Sequence, residues 1–229
     1  MTPIVNRKSS ICLIFAPILA YLFLVNPIQV CAVILAGGQS RRMGFNKALL
    51  EIGGQPLIRI LANRIRPLTD RILISSNDGA AYKFLDIPVI PDHFSGHGPL
   101  AGIHSAMLWD TSPLFLVLAC DLPNLQEPLL RNLISLATGF DAAIPRTKDG
   151  LAHPLCAVYN RTCLPTMQRA LERGANKVIE NFLDNSLSIK WVDPDEGQFE
   201  DTDLANINTP EDLSRLKSHP THAQHIVAN

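Results

Sequence analysis

A continuous apolar run, Val30 to Ala36, stops abruptly at Gly37-Gly38, and the cations Arg41, Arg42 and Lys47 follow within a few residues. A run this short and this apolar, closed by glycine, is the pattern of a strand buried on both faces of a parallel sheet. Each face of such a sheet needs a layer of helices, and helical patterns do alternate with further strand-like runs downstream. Pro56 to Ile65 reads as a helix with Leu57, Ile60, Leu61 and Ile65 on its inner side. Ile72 to Ser76 and Ile87 to Ile90 read as strands, Pro99 to Trp109 as a helix opened by proline, and Leu114 to Ala119 as another buried strand. Gln126 to Ala137 is helical and Asp141 to Pro145 strand-like. Leu155 to Tyr159 reads as a strand, followed by helices over Thr162 to Glu172 and Ala175 to Leu183 and a last strand over Ser188 to Val192. Thr209-Pro210-Glu211-Asp212 has the cap, proline and acids of a helix start. The expected architecture is therefore α/β: one domain over residues 30–217, a mostly parallel sheet with helices on both faces, and a loose tail over 218–229.

Ligands of such sheets collect where the strands end. Gly37-Gly38, Ser75 to Asn77, Asp92 and Asp121 all fall at that edge. The formal net charge of −1 offers no general attraction for nucleic acid, so any grip on an anion has to be local. The five cysteines, Cys12, Cys31, Cys120, Cys156 and Cys163, form no CxxC pair and read as reduced thiols of a cytoplasmic protein.

Residues 1–29 complicate that compartment. Arg7 and Lys8 precede the apolar run Ile11 to Val25, which is shorter than the roughly 20 residues of a comfortable membrane helix and is interrupted by Pro17. No small-residue cleavage site follows it. Three readings fit: a translation start set too far upstream, a membrane anchor, and an export signal.

The segment Leu35-Ala36-Gly37-Gly38-Gln39-Ser40-Arg41-Arg42-Met43-Gly44, with Lys47 behind it, carries the most chemical information. Adjacent glycines let backbone approach a ligand with no Cβ in the way, and successive amide N–H groups in such a turn make an anion-binding concavity. A Walker loop is excluded because Lys47 lies between Asn46 and Ala48 rather than after glycine and before Ser/Thr. A GxGxxG dinucleotide fingerprint is absent too. A glycine pair alone fits a plain strand-to-turn junction with solvated cations; the whole LAGGxSxRMGxxK pattern is far more specific.

On that pattern the chain resembles the cytidylyl-, uridylyl- and guanylyltransferases that share this N-terminal loop, and within them the molybdenum cofactor guanylyltransferases, the MobA family. Gly98-Pro99-Leu100-Ala101-Gly102, Cys120-Asp121-Leu122-Pro123, His153-Pro154 and the stretch Asn206 to Leu213 extend the likeness, which runs from about Val30 to Leu216. The resemblance implies a Rossmann-like nucleotidyltransferase fold and transfer of GMP from GTP to the phosphate of molybdopterin, with Mg²⁺ as cofactor. It implies passing contacts with cofactor delivery and acceptor proteins as well. It places Leu35, Ala36, Gly37 and Gly38 on the nucleotide and Lys47 on its phosphates. Ser75 stands where the family often has asparagine, with Asn77 as the alternative base contact. Asp92 and Gly102 would help form the guanine pocket, and Asp121 would bind both metal and GTP. Lys47 and Asp121 are thus the expected catalytic pair.

Independent chemistry agrees at Asp121. A carboxylate at the tip of a buried strand needs a cation or a hydrogen-bonded role, and Mg²⁺ commonly takes one or two protein carboxylates beside phosphate oxygens. The competing role is a helix cap before Leu122-Pro123, and Asn206 or Asn208 could supply a further metal ligand or equally stabilise the turn before Thr209. The acceptor phosphate is already ionised near neutral pH, with a second pKa of about 6, so no activated nucleophile is needed. His93, His97 and His104 are spaced as zinc ligands could be, but Gly96 and Gly98-Pro99 break the helix that spacing requires. The resemblance, through the position of His153-Pro154, places His153 near the pterin phosphate. Arg146, Lys148 and Asp149-Gly150 read as a loop over the second substrate, and Arg173 to Lys177 as another polar loop nearby; both could equally be solvated surface. The rival activities are a cytidylyltransferase for the same cofactor, a sugar-phosphate nucleotidyltransferase, and an inactive nucleotide-binding regulator.

Overall fold

The computed structural model describes residues 29–37, 46–176, 178, 186–207 and 212. Gly38, Arg41 and Arg42, the N-terminal apolar run, the helix start at Thr209 and most of the expected helix after Ala175 lie outside them.

Strands β1 (Val30–Leu35), β4 (Ile72–Ser75), β5 (Val89–Ile90), β6 (Leu114–Ala119), β7 (Ala142–Pro145), β8 (Cys156–Asn160) and β9 (Ile189–Val192) form one sheet in the order β5-β4-β1-β6-β8-β7-β9. The pairs β1/β4, β1/β6, β4/β5 and β7/β9 are parallel, as the apolar runs imply. Only β8 reverses, lying antiparallel between β6 and β7. It does so because β7 and β8 are joined by a hairpin that turns at Thr147–Leu151 rather than by a crossover helix. A smaller ribbon, β2 (Glu51–Ile52) with β3 (Gln55–Pro56), turns on Gly53-Gly54, whose φ values of 58° and 78° suit a tight two-residue hairpin. Sequence periodicity missed this ribbon and assigned Pro56 to the following helix.

Alternation along the central strands builds two cores. Ala32 and Ile34 of β1, with Leu114, Leu116 and Leu118 of β6, face α1 (Leu57–Ile65) and α3 (Glu127–Leu136). Cys31, Val33 and Leu35, with Phe115 and Val117, face α2 (Gly98–Trp109) and α4 (Leu164–Glu172). Burial of each valine, leucine, isoleucine and phenylalanine among them contributes about 1.5–3 kcal/mol. The expected stripe of Leu57, Ile60, Leu61 and Ile65 is buried, but it divides: Leu61 and Ile65 meet the sheet, whereas Leu57 and Ile60 pack with Leu50, Ile52 and Ile207. Helix α2 is apolar on nearly every side, as befits a helix pressed between the sheet and α4. The short α5 (Pro194–Gly197) follows β9. No helix among the described residues is long and apolar enough to cross a membrane.

Candidate active site at the strand ends

The parallel strands terminate together. The Ala36 N–H donates to Ser75 O at 3.0 Å, Cys120 N–H to Leu35 O at 3.3 Å and Ser76 N–H to Ile90 O at 3.0 Å. These bonds align the exits of β1, β4, β5 and β6, so Leu35, Ala36, Gly37, Ser75, Asn77, Asp92 and Asp121 share one rim.

On one side of β1 the chain returns at Asn46 into a single 3-10 turn, Lys47–Leu49. Lys47 Nζ lies 3.7 Å from Asp121 Oδ2, and both side chains are mostly shielded, at 18% and 19% exposed. Burial pushes the Asp121 carboxyl above its ordinary range, and the opposing pull of Lys47 does not cancel that push. Asp121 Oδ1 is buried and accepts no hydrogen bond among the described residues. The expected rival role, a helix cap, is ruled out: α3 begins six residues later at Glu127, with Gln126 before it. Instead, Asp121 O accepts from Ile207 N–H at 2.9 Å, which ties the segment containing Asn206 to the Asp121 backbone. An orphaned, buried carboxylate oxygen beside a lysine is a fitting ligand for a divalent cation that also holds phosphate oxygens. No cluster of three or more His, Cys, Asp or Glu suited to a metal occurs among the described residues, which leaves such an ion dependent on substrate and water for most of its shell.

On the other side of β1 a polar triad forms. Ser75 Oγ donates to Asp92 Oδ1 at 3.2 Å and Asn77 Nδ2 to Asp92 Oδ2 at 3.3 Å, while the Asp92 N–H donates to Asn77 Oδ1 at 3.0 Å. Asn77, expected as a base contact, thus spends both ends of its amide on fixing Asp92. Gly102 lies against this triad: a Cβ there would collide with Ser75 Oγ and come within 3.0 Å of Leu35 Cδ2. Gly98, at φ 61°, is similarly pressed, with its Cβ position 2.8 Å from Asn176 O, so the polar turn after α4 adjoins the Gly98–Gly102 segment. Gly37 differs. Among the described residues its Cβ position meets only Ser75 O, at an ordinary 3.7 Å, so packing against them does not demand glycine.

The weaker candidates separate. His93, Phe94, His97 and His104 form a ring cluster, with His93 and His104 centroids 5.9 Å apart. His104 is buried with neither ring nitrogen hydrogen-bonded among the described residues, and burial, helped by the neighbouring His93, holds its pKa down. Arg146 and Lys148 are already engaged, Arg146 Nε with Asp193 at 2.6 Å and Lys148 Nζ with Glu200 at 3.4 Å. Burial holds the His153 pKa down, and its Nε2 has no hydrogen-bond partner among the described residues. Cys31, Cys120, Cys156 and Cys163 are free thiols; burial pushes that of Cys120 up to about 12. Sequence reasoning missed Tyr82, whose buried hydroxyl donates to Ala36 O at 3.0 Å and accepts from Asn46 Nδ2 at 2.8 Å.

A doubly covered parallel sheet with this rim is matched over residues 32–187 by the family described as MobA-like NTP transferase domain, which makes the chain a nucleotidyltransferase. It is 35% identical over 193 residues to a probable molybdenum cofactor guanylyltransferase of Pelotomaculum thermopropionicum, covering 83% of this chain and 93% of that protein. It is 30% identical over 194 residues to the molybdenum cofactor guanylyltransferase of Desulfosudis oleivorans, covering 82% and 95%. The crystal structure of molybdopterin-guanine dinucleotide biosynthesis protein A from Archaeoglobus fulgidus superposes with a TM-score of 0.70 at 26% identity, covering 83% and 97%. The chain belongs to the MobA-like NTP transferase family.

Proposed function

We propose that this chain transfers the guanylyl group of GTP to the phosphate of Mo-molybdopterin, forming the guanine dinucleotide cofactor and pyrophosphate. The observation that carries the reading is the Lys47–Asp121 pair beside the Ala36–Gly37 strand end, in a chain whose relatives are named for this activity. Ala36 and Gly37 offer backbone to the triphosphate, and Lys47 neutralises it. Asp92, fixed by Ser75 and Asn77, presents a carboxylate suited to the N–H groups of a guanine edge. Asp121 would hold Mg²⁺ through its carboxylate, whose Oδ1 accepts no hydrogen bond among the described residues.

A phosphate oxygen of molybdopterin forms a bond to the α-phosphorus of GTP as the bond to the β-phosphate bridging oxygen breaks, and pyrophosphate leaves with that electron pair. The nucleophile is ionised at neutral pH, so the protein supplies alignment and charge compensation rather than a base. Bound magnesium supplies positive charge against the phosphate oxygens. Delivery and acceptor proteins for the cofactor would meet the same rim in passing.

The test supplies purified molybdopterin cofactor with GTP, CTP or UTP, with and without Mg²⁺, and measures pyrophosphate. GTP preference lost on removal of the ion is expected; preference for CTP would overturn the choice of nucleotide. Lys47→Ala should lower kcat/KM for GTP by at least about a hundredfold, the scale for one charge-stabilising group. An unchanged value would remove Lys47 from the phosphate site.

A further inference from the structure

We infer that Tyr82 is a positioning residue for GTP, a buried clip that fixes the strand-end backbone at Ala36 relative to the turn that carries Lys47. The inference rests on the nucleotide reading above and adds to it a residue remote in sequence from the glycine-rich loop it supports.

Tyr82 is fully buried in the 3-10 segment Gly79–Leu85 beneath the rim. Its hydroxyl donates to Ala36 O and accepts from Asn46 Nδ2, at 3.0 and 2.8 Å. Asn46 Oδ1 in turn accepts from Ala48 N–H at 3.0 Å, and Asn46 O from Leu49 N–H at 3.1 Å, which shapes the turn on which Lys47 stands. One hydroxyl therefore links the point where the chain leaves β1 to the point where it comes back. Burial raises the phenol pKa, so the group remains a donor throughout the working pH range. A single oxygen satisfying two polar groups in a water-poor setting is directional in a way that apolar packing is not. Its removal would leave both ends of the segment in place but no longer in register. GTP phosphates that must touch Gly37 and Lys47 together would then bind a site that has to be ordered on binding, and affinity would fall.

Tyr82→Phe deletes the hydroxyl and keeps the ring. Leu85→Ala serves as control, because Leu85 lies in the same 3-10 segment and the same core but makes no contribution to the clip. The full chain is titrated calorimetrically with GTP and Mg²⁺, well below the melting temperature of every variant. Tyr82→Phe should raise the Kd for GTP about tenfold, the effect of one to two hydrogen bonds. Leu85→Ala, although destabilised at least as much, should stay within about twofold of wild type. Asn46→Ala should mimic Tyr82→Phe, and the double variant should be little worse than either, because the two groups act as one unit. An affinity of Tyr82→Phe within twofold of wild type would overturn the clip, as would equal losses in Tyr82→Phe and Leu85→Ala. Wild-type protein that binds no GTP would instead overturn the nucleotide reading on which the clip depends.

Discussion

Replacing Asp121 by asparagine should leave the metal-free protein as stable as wild type, or more so, while eliminating turnover. At 3.7 Å and an effective dielectric of about 20, Coulomb's law gives an attraction to Lys47 of about 4 kcal/mol. Against it stands the desolvation of a carboxylate that is four-fifths shielded and has one oxygen without a hydrogen bond. The raised pKa of Asp121 says which effect prevails: burial outweighs the lysine, so the ionised form costs the folded state free energy. With a folded pKa above the unfolded one, that cost is present at neutral pH and fades as pH falls through the folded value. Asp121→Asn removes it. The expected melting temperature at pH 7 is equal to wild type or higher by up to about 4 °C, equivalent to about 1 kcal/mol in a chain of this size. The difference should narrow on acidification towards pH 4. Turnover should fall at least about a thousandfold, as expected when charge stabilisation in the transition state is lost. Magnesium with GTP at about a hundred times the dissociation constant should stabilise wild type by about 2.7 kcal/mol and the variant far less. The assay pairs thermal melts across pH with pyrophosphate release. A melting temperature more than about 4 °C below wild type at pH 7, or an advantage that grows in acid, would refute the balance of burial against attraction.

Two further substitutions probe the same elements. His104→Leu exchanges a buried imidazole with two unpartnered nitrogens for an apolar side chain and should stabilise the fold by about 1–3 kcal/mol. Because the His104 pKa is lowered in the fold, chiefly by burial and secondarily by His93 while Glu172 opposes, its ionisation costs the fold nothing above about pH 6.5 and costs progressively more as pH drops below that. Urea midpoints at pH 7.5 and 5.5 should therefore differ less in His104→Leu than in wild type; an unchanged difference would count against a neutral buried ring. Gly102→Ala would push a Cβ into Ser75 Oγ and Leu35, disturbing the support of Asp92. Its Kd for GTP should rise about tenfold, from overpacking of about 1–3 kcal/mol, with the fold retained; calorimetric titration showing wild-type affinity would separate this triad from the base pocket.

What the sequence discloses and what it hides divide along a physical line. Val30 to Ala36 and Leu114 to Ala119 announce buried parallel strands because every residue along them must be apolar when both faces are covered. Gly37 and Asp121 stand out because each departs from that rule where the strand ends, one by lacking a side chain and the other by carrying a charge. The reversal of β8 leaves no such mark, since a strand between two others is equally apolar whichever way it runs. Nor does the charge of Arg146 or Lys148 tell in advance that Asp193 and Glu200, dozens of residues on, will engage it.

Tyr82 is the most instructive omission. In the sequence it is one aromatic residue in an undistinguished stretch, 46 positions from the carbonyl it holds and 36 from the amide it receives. Its ring obeys the rule for a core residue, and only its hydroxyl, meeting both Ala36 O and Asn46 Nδ2, sets it apart. Residues that touch a ligand tend to violate local folding preferences and so betray themselves, whereas residues that hold the first set in place satisfy those preferences. The supporting shell of this site is therefore visible only once the chain is folded, and it is there that changes could alter nucleotide affinity without touching a single recognisable motif.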